Sequence, residues 1–222
     1  MDETLTDDPT LDELAPRLAE AMLPHVPFDG WSLAALDHAA DDLGIDRDVA
    51  RLVFPEGAPA MIAAFIRLAD ARMIEACDTA EFRGLKVRQK VAQAIRTRLT
   101  GFAPHREAIR KAASILSLPG NVPLATRLTW GTADAIWRAA GDRSTDLNHY
   151  SKRALVSAVY SATLFYWMAD ESEDFADSWA FLDRRIEGVM QFEKLKARLK
   201  PGENDERPSL VRFLGRLRYP PA

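Results

Sequence analysis

Apolar side chains recur along this chain at three- and four-residue spacing, and nowhere in the alternating pattern of a strand. Leu11, Leu14, Leu18 and Met22 line one side of a helix that Thr10 and Glu13 open as a capping box and Pro24 ends. Residues 24–30, rich in Pro and Gly, read as a turn. Ser32 caps a second helix over residues 33–43, which Gly44 stops; Asp46 caps a short third over 47–54, closed by Pro55, Glu56 and Gly57. Longer periodic segments follow at 58–78, 84–101, 105–118, 123–140, 141–170 and 175–199. The pattern therefore predicts an all-α bundle, three short helices followed by longer ones.

Residues 141–170 dominate that pattern. Their first turns are polar, with Asp146, Asn148, His149, Tyr150, Lys152 and Arg153, whereas residues 154–168 are apolar or small on nearly every side. A helix apolar all round must be enclosed by other helices or by lipid, and this run falls short of the roughly 20 residues a bilayer span needs. The expectation is the buried central helix of a soluble bundle.

Charge changes the reading of the two ends. Residues 1–60 carry 14 acidic side chains against Arg17, Arg47 and Arg51, while residues 184–222 carry ten basic against five acidic. The short helices have the outline of a helix-turn-helix, but residues 31–60 hold six acids against two arginines, which would repel a polyanion. Nucleic-acid binding is accordingly not expected. The basic side of 84–101 (Lys86, Arg88, Lys90, Arg96, Arg98) reads as a solvated face. After the polar hinge 201–208 comes a small amphipathic helix with Leu210, Phe213, Leu214 and Leu217 on one face and Arg212, Arg216 and Arg218 on others. It either docks on the protein or lies in a membrane interface. Three parts follow: 1–56, the acidic helix-turn-helix-like part; 57–200, the bundle; and 201–222, hinge and tail.

Catalytic chemistry is looked for and not found. The four histidines are scattered over separate segments, Asp146-Leu-Asn-His149 stands alone where a di-metal bundle needs two Glu-x-x-His motifs, and no nucleophile elbow, Walker loop or dinucleotide fingerprint occurs. The lone Cys77 fits a buried thiol in a reducing compartment, and the acidic N-terminus is unlike a signal peptide. The expectations are no enzyme activity, no metal, no cofactor and a cytoplasmic location.

The runs Leu23-Pro-His-Val-Pro-Phe-Asp-Gly-Trp-Ser32, Ser117-Leu-Pro-Gly-Asn121, Ile136-Trp-Arg-Ala-Ala-Gly-Asp-Arg-Ser-Thr-Asp146, Asn148-His-Tyr-Ser-Lys-Arg153 and the block from Trp179 to Lys194 resemble the Coq-nine family of accessory proteins in coenzyme Q biosynthesis. The similarity covers roughly residues 11–200, in order. It implies a fold like the TetR regulators, a homodimer built on the last long helices, and a lipid-binding interior for an isoprenoid quinone or phospholipid. It also implies assistance to the di-iron demethoxyubiquinone hydroxylase at the inner membrane surface, without catalysis. On that resemblance, Trp130, Trp137, Tyr160, Leu164, Trp167 and Met168 are the lipid-lining candidates. The partner-docking patch would be Asp142, Asp146, Asn148, His149, Tyr150 and Arg153, with His149 where the family commonly has Trp. Membrane contact would fall to Leu210, Phe213, Leu214, Leu217, Arg212 and Arg216. The rival function is a TetR-type transcription regulator with a hydrophobic ligand.

Overall fold

The structure, a computed structural model, describes residues 9–142 and 147–199, without the side chains of 147–149, 190 and 192–199. Eleven α-helices and no strand occur among the described residues: α1 (Leu11–Ala21), α2 (Val26–Asp29), α3 (Leu33–Leu43), α4 (Arg47–Val53), α5 (Ala58–Cys77), α6 (Ala80–Gly84), α7 (Val87–Phe102), α8 (Arg106–Leu116), α9 (Val122–Ala139), α10 (Leu147–Ala169) and α11 (Ala176–Leu199). The first compact unit runs through Ile186; the second begins at Glu187 and is described only as the end of α11, to Leu199.

Local chemistry sets the early boundaries. The Thr10 backbone N–H and hydroxyl both donate to the Glu13 carboxylate at 2.9 Å, and the Glu13 N–H returns a bond to the Thr10 hydroxyl. Ser32 accepts from the Ala35 N–H, and one Asp46 oxygen accepts from the N–H groups of Asp48 and Val49. These bonds satisfy helix-end donors that would otherwise face water or nothing. Gly44 ends α3 at a φ of 65°, a left-handed turn that a side chain would strain. Two short elements depart from expectation. Residues 26–29 of the supposed turn wind into α2, and α6, capped by the Thr79 hydroxyl, fills the gap before α7. Both are one-turn helices, too short for any periodic pattern.

The bundle is organised around α5, not around α10 as its apolar run suggested. α5 packs against α1, α7, α8 and α9, burying Met61, Ile62, Phe65 and Met73. Phe65 meets the rings of Trp31 and Phe102 at 5.7 and 5.4 Å, and the Trp31 indole N–H donates to the Ala108 carbonyl at 3.0 Å, tying the α2–α3 corner to α8. In contrast, α10 packs on α7, α8 and α9 along one side only. Val156, Val159, Tyr160, Thr163, Trp167 and Met168 are buried, while Ala154, Ala158 and Phe165 are exposed, Phe165 by 62%. Part of the reason is that a third of the run is alanine and serine, which lose little by facing water; the exposure of Phe165 and Tyr166 is not explained in this way.

The C-terminal end of α10 is latched. Arg106 of α8 donates to the Trp167 carbonyl at 2.8 Å and to the Asp170 carbonyl, and Arg110 donates to the Met168 carbonyl at 2.6 and 3.1 Å. Cations thus meet the unpaired carbonyls and the negative pole of the helix together. The Asp170 carboxylate accepts from the N–H and hydroxyl of both Ser172 and Ser178, fixing the corner into α11. Burial opposes the Asp170 charge, but these four donors outweigh it and hold the pKa at about 2. At the same corner Asp174 and Phe175 adopt left-handed backbone, with φ of 50° and 58°.

Candidate functional site

A cavity of about 230 Å³ opens between the helices that α10 covers. Ile66 of α5, Leu116 of α8, Leu128 of α9 and Leu164 of α10 give it apolar walls, and Phe165 stands at its edge. Its polar lining consists of Arg98, Thr132 and Tyr160, together with the hydroxyls of Ser117, Thr129 and Ser161. The presence of Arg98 there is the main departure from the sequence reading.

Arg98 is 3% exposed, although it was expected on a solvated basic face. Its Nε donates to Asp70 of α5 at 2.8 Å, one Nη to the Tyr160 hydroxyl at 2.7 Å, and the other to the Ile66 carbonyl and the Thr132 hydroxyl at 3.4 Å. Thr132 in turn donates to the second Asp70 oxygen at 3.1 Å. The guanidinium also lies over the rings of Phe102 and Tyr160, 4.7 and 5.1 Å from their centroids. Helices α5, α7, α9 and α10 therefore converge on one buried ion pair whose two charges cancel. Burial is the largest influence on the Tyr160 phenol and pushes its pKa up against the opposing Arg98 cation, so the hydroxyl keeps its proton. The signal was in the spacing. Arg98 falls on the stripe Val91, Ala94, Ile95, Leu99, Phe102 that turns α7 inward, and Asp70 interrupts the apolar α5.

The six lipid-lining candidates do not form one wall. Tyr160 and Leu164 line the cavity. Trp167 is fully buried between the Arg106 guanidinium, 5.4 Å away, and the Phe175 ring, 5.3 Å away. Met168 is buried beside it and bonded through its carbonyl to Arg110. Trp130 and Trp137 lie towards the other end of α10, where Trp130 meets the Tyr150 ring at 6.2 Å and Trp137 lies under Lys152, 5.5 Å from its Nζ.

That other end carries part of the expected docking patch. Tyr150 is 61% exposed. Arg153 is buried: its Nε donates to Asp134 of α9 at 2.6 Å, and an Nη stands 3.7 Å from Asp142, which also takes the Lys152 ammonium at 3.0 Å. Arg153 thus braces α9 against α10 from beneath, and Tyr150 is the group turned outward. Asp146 and the side chains of Asn148 and His149 lie outside the described residues, as do Leu210, Arg212, Phe213, Leu214, Arg216 and Leu217.

A larger groove of about 450 Å³ between α1, α5 and α9 is lined by Asp12, Glu56, Arg67 and Arg127 among others, a mixture of charges that suits water better than an apolar ligand. On α4, the part a helix-turn-helix would aim at DNA, Arg47 is bidentate to Asp41 and Arg51 to Asp37. Among the described residues no three His, Cys, Asp or Glu side chains gather as a metal site, and no single helix is long and apolar enough to cross a membrane.

Residues 122–193, the segment holding α9, α10 and much of α11, match the COQ9 family. The chain is similar to the human protein titled ubiquinone biosynthesis protein COQ9, mitochondrial, 32% identical over 194 residues, covering 81% of this chain and 58% of that protein. The rat protein of the same title is 34% identical over 188 residues, covering 81% of this chain and 59% of that one. The chain thus spans less than two thirds of the length of the curated relatives it matches. Among solved structures, a TetR transcriptional regulator from Nitrosomonas europaea superposes with a TM-score of 0.64 over 80% of this chain and 98% of that one, at 21% identity. This likeness establishes the fold, which is TetR-like.

Proposed function

We infer that the chain belongs to the COQ9 family, and from that premise we propose that it serves ubiquinone biosynthesis as a lipid-binding accessory protein rather than as a catalyst. In this reading it takes a polyprenyl quinone intermediate at a membrane surface and presents it to the demethoxyubiquinone hydroxylase. The observation that carries the reading is the largely apolar cavity under α10, on whose wall Arg98, Thr132 and Tyr160 meet. A cavity of roughly 150 Å³ suffices for benzene, and drug-sized ligands need roughly 300 to 1,000 Å³. About 230 Å³ therefore suits a substituted ring with the first part of its tail. The rest of a polyprenyl chain would leave past the exposed Phe165 and stay in apolar surroundings supplied by a membrane, a second copy of the chain in a homodimer, or the hydroxylase.

Tyr150 supports the partner half of the reading. An aromatic ring 61% exposed, backed by Trp130 and held over the Arg153 brace, is the kind of anchor that interfaces bury. The competing reading, a regulator that binds DNA, draws support only from the TetR-like fold. The arginines of α4 already spend their charge on aspartates of the same unit, which leaves that face unsuited to phosphate.

Organic extraction of the purified chain, followed by mass spectrometry, tests the lipid reading. Co-purifying isoprenoid or phospholipid, or uptake of an added short-chain quinone, is the expected result; folded protein that yields none and takes up none would count decisively against it. Retention on DNA at low salt, lost at high salt, would revive the regulator.

A further inference from the structure

The buried ion pair explains why polar groups survive in an apolar wall, but not why two of their hydrogens find no use. Asp70 is satisfied, taking Arg98 Nε on one oxygen and Thr132 on the other. The Thr132 hydroxyl both donates and accepts. Tyr160 differs. Its oxygen accepts from Arg98, and among the described residues its own proton meets no acceptor, although the residue is only 5% exposed and lines the cavity. The same Nη of Arg98 carries a second hydrogen for which no acceptor stands among the described residues. The Tyr160 proton is thus a buried donor without an acceptor in the wall of a mainly apolar chamber, whose other polar side chains, besides Arg98 and Thr132, are the hydroxyls of Ser117, Thr129 and Ser161. A buried donor left unmatched is costly, and the cost is removed when something with a lone pair arrives.

We propose that Tyr160 and Arg98 form the head-group subsite of this cavity, selecting a neutral oxygen acceptor on a ring, such as a quinone carbonyl or ring methoxy oxygen. The inference rests on the lipid-binding reading above and assigns the end at which the ring sits. Acceptor character follows from the unmatched hydrogens of Tyr160 and Arg98, which an oxygen lone pair would take up. Neutrality follows from the pair. Asp70 cancels the Arg98 charge, so a carboxylate or phosphate would give up its hydration without meeting a net cation. Ile66, Leu116, Leu128 and Leu164 make much of the remaining lining apolar, beside the hydroxyls of Ser117, Thr129 and Ser161, which suits the ring edge and the first isoprene units.

Three probes with the same ten-carbon tail separate the possibilities by isothermal titration on the full chain: a decyl-1,4-benzoquinone, decylbenzene and decanoate. The quinone is expected to bind about tenfold tighter than decylbenzene, and decanoate weakest. Tyr160→Phe keeps the ring and removes the hydroxyl; it should weaken the quinone by about three- to tenfold, the range of one hydrogen bond, and leave decylbenzene unchanged. Leu164→Trp, which fills the chamber, should abolish binding of both. Equal affinity for quinone and decylbenzene, a preference for decanoate, or quinone binding untouched by either substitution would overturn the subsite while leaving lipid binding intact. Failure of all three probes to bind the wild-type chain would instead remove the lipid-binding reading, and the subsite with it.

Discussion

Arginine and aspartate meet in two regions of this molecule, with opposite consequences. On α3 and α4 the pairs Arg47–Asp41 and Arg51–Asp37 have contacts of 2.6 and 2.8 Å and lie largely in solvent. Inside the bundle Arg98–Asp70 has nearly the same length, 2.8 Å, with the Arg98 side chain 1% exposed. Geometry alone does not distinguish them. Solvent screens the first set, so its effect is mainly to cancel the charge of a face that could otherwise attract a polyanion. In the second the Arg98 guanidinium has no water to fall back on and depends on Asp70, which is itself 14% exposed, and the pair also sets the polarity of the cavity wall.

The comparison breaks most sharply if one buried partner is removed. Arg98→Met leaves the part-buried Asp70 with Thr132 as its remaining partner and is expected to destabilise the chain by about 2 to 3 kcal/mol in urea unfolding; the double change Arg98→Met with Asp70→Leu should recover most of that loss. If the single change proved harmless, the interior pair would behave like the surface ones.

Asp170 sharpens the contrast because its charge is held by hydroxyls and amides rather than by a cation. Asp170→Ala should cost about 2 to 3 kcal/mol, since charged hydrogen bonds exceed neutral ones. The acid profile gives a second readout. A carboxylate with a folded pKa of about 2 binds its proton less readily than in the unfolded chain, where the value is about 3.9. Its contribution is therefore complete above roughly pH 4 and fades as pH falls through about 2; in the alanine variant that part of the acid destabilisation should be missing. At the small end, Arg51→Gln should leave the melting midpoint essentially in place, and the residual difference should shrink with salt.

How much of this was legible in the sequence follows from what each residue announces. Ser32, Gly44, Asp46 and the Pro55-Glu56-Gly57 stop act through local bonds, so α3 and α4 fall where their caps predict. Arg98 announced only a charge. Its burial depends on Asp70, 28 positions away in sequence, and on Tyr160, 62 away, and single-helix patterns carry no information about such partners. The role of α10 was overstated for a related reason: Ala154 and Ala158 count as apolar in a pattern yet need no cover. Of the expected docking patch, the motif names Tyr150 and Arg153 alike, and only packing separates the exposed ring from the guanidinium buried against Asp134.

On the proposed lipid-binding reading, the modest size of the chamber under α10 decides what sort of carrier this chain would be. A vessel swallowing a whole polyprenyl molecule would have to strip dozens of carbons from the bilayer and later release them, a barrier that grows with every isoprene unit. A grip on the head alone escapes that scaling. The same protein could then handle long and short tails at similar speed, with the membrane keeping custody of the tail throughout.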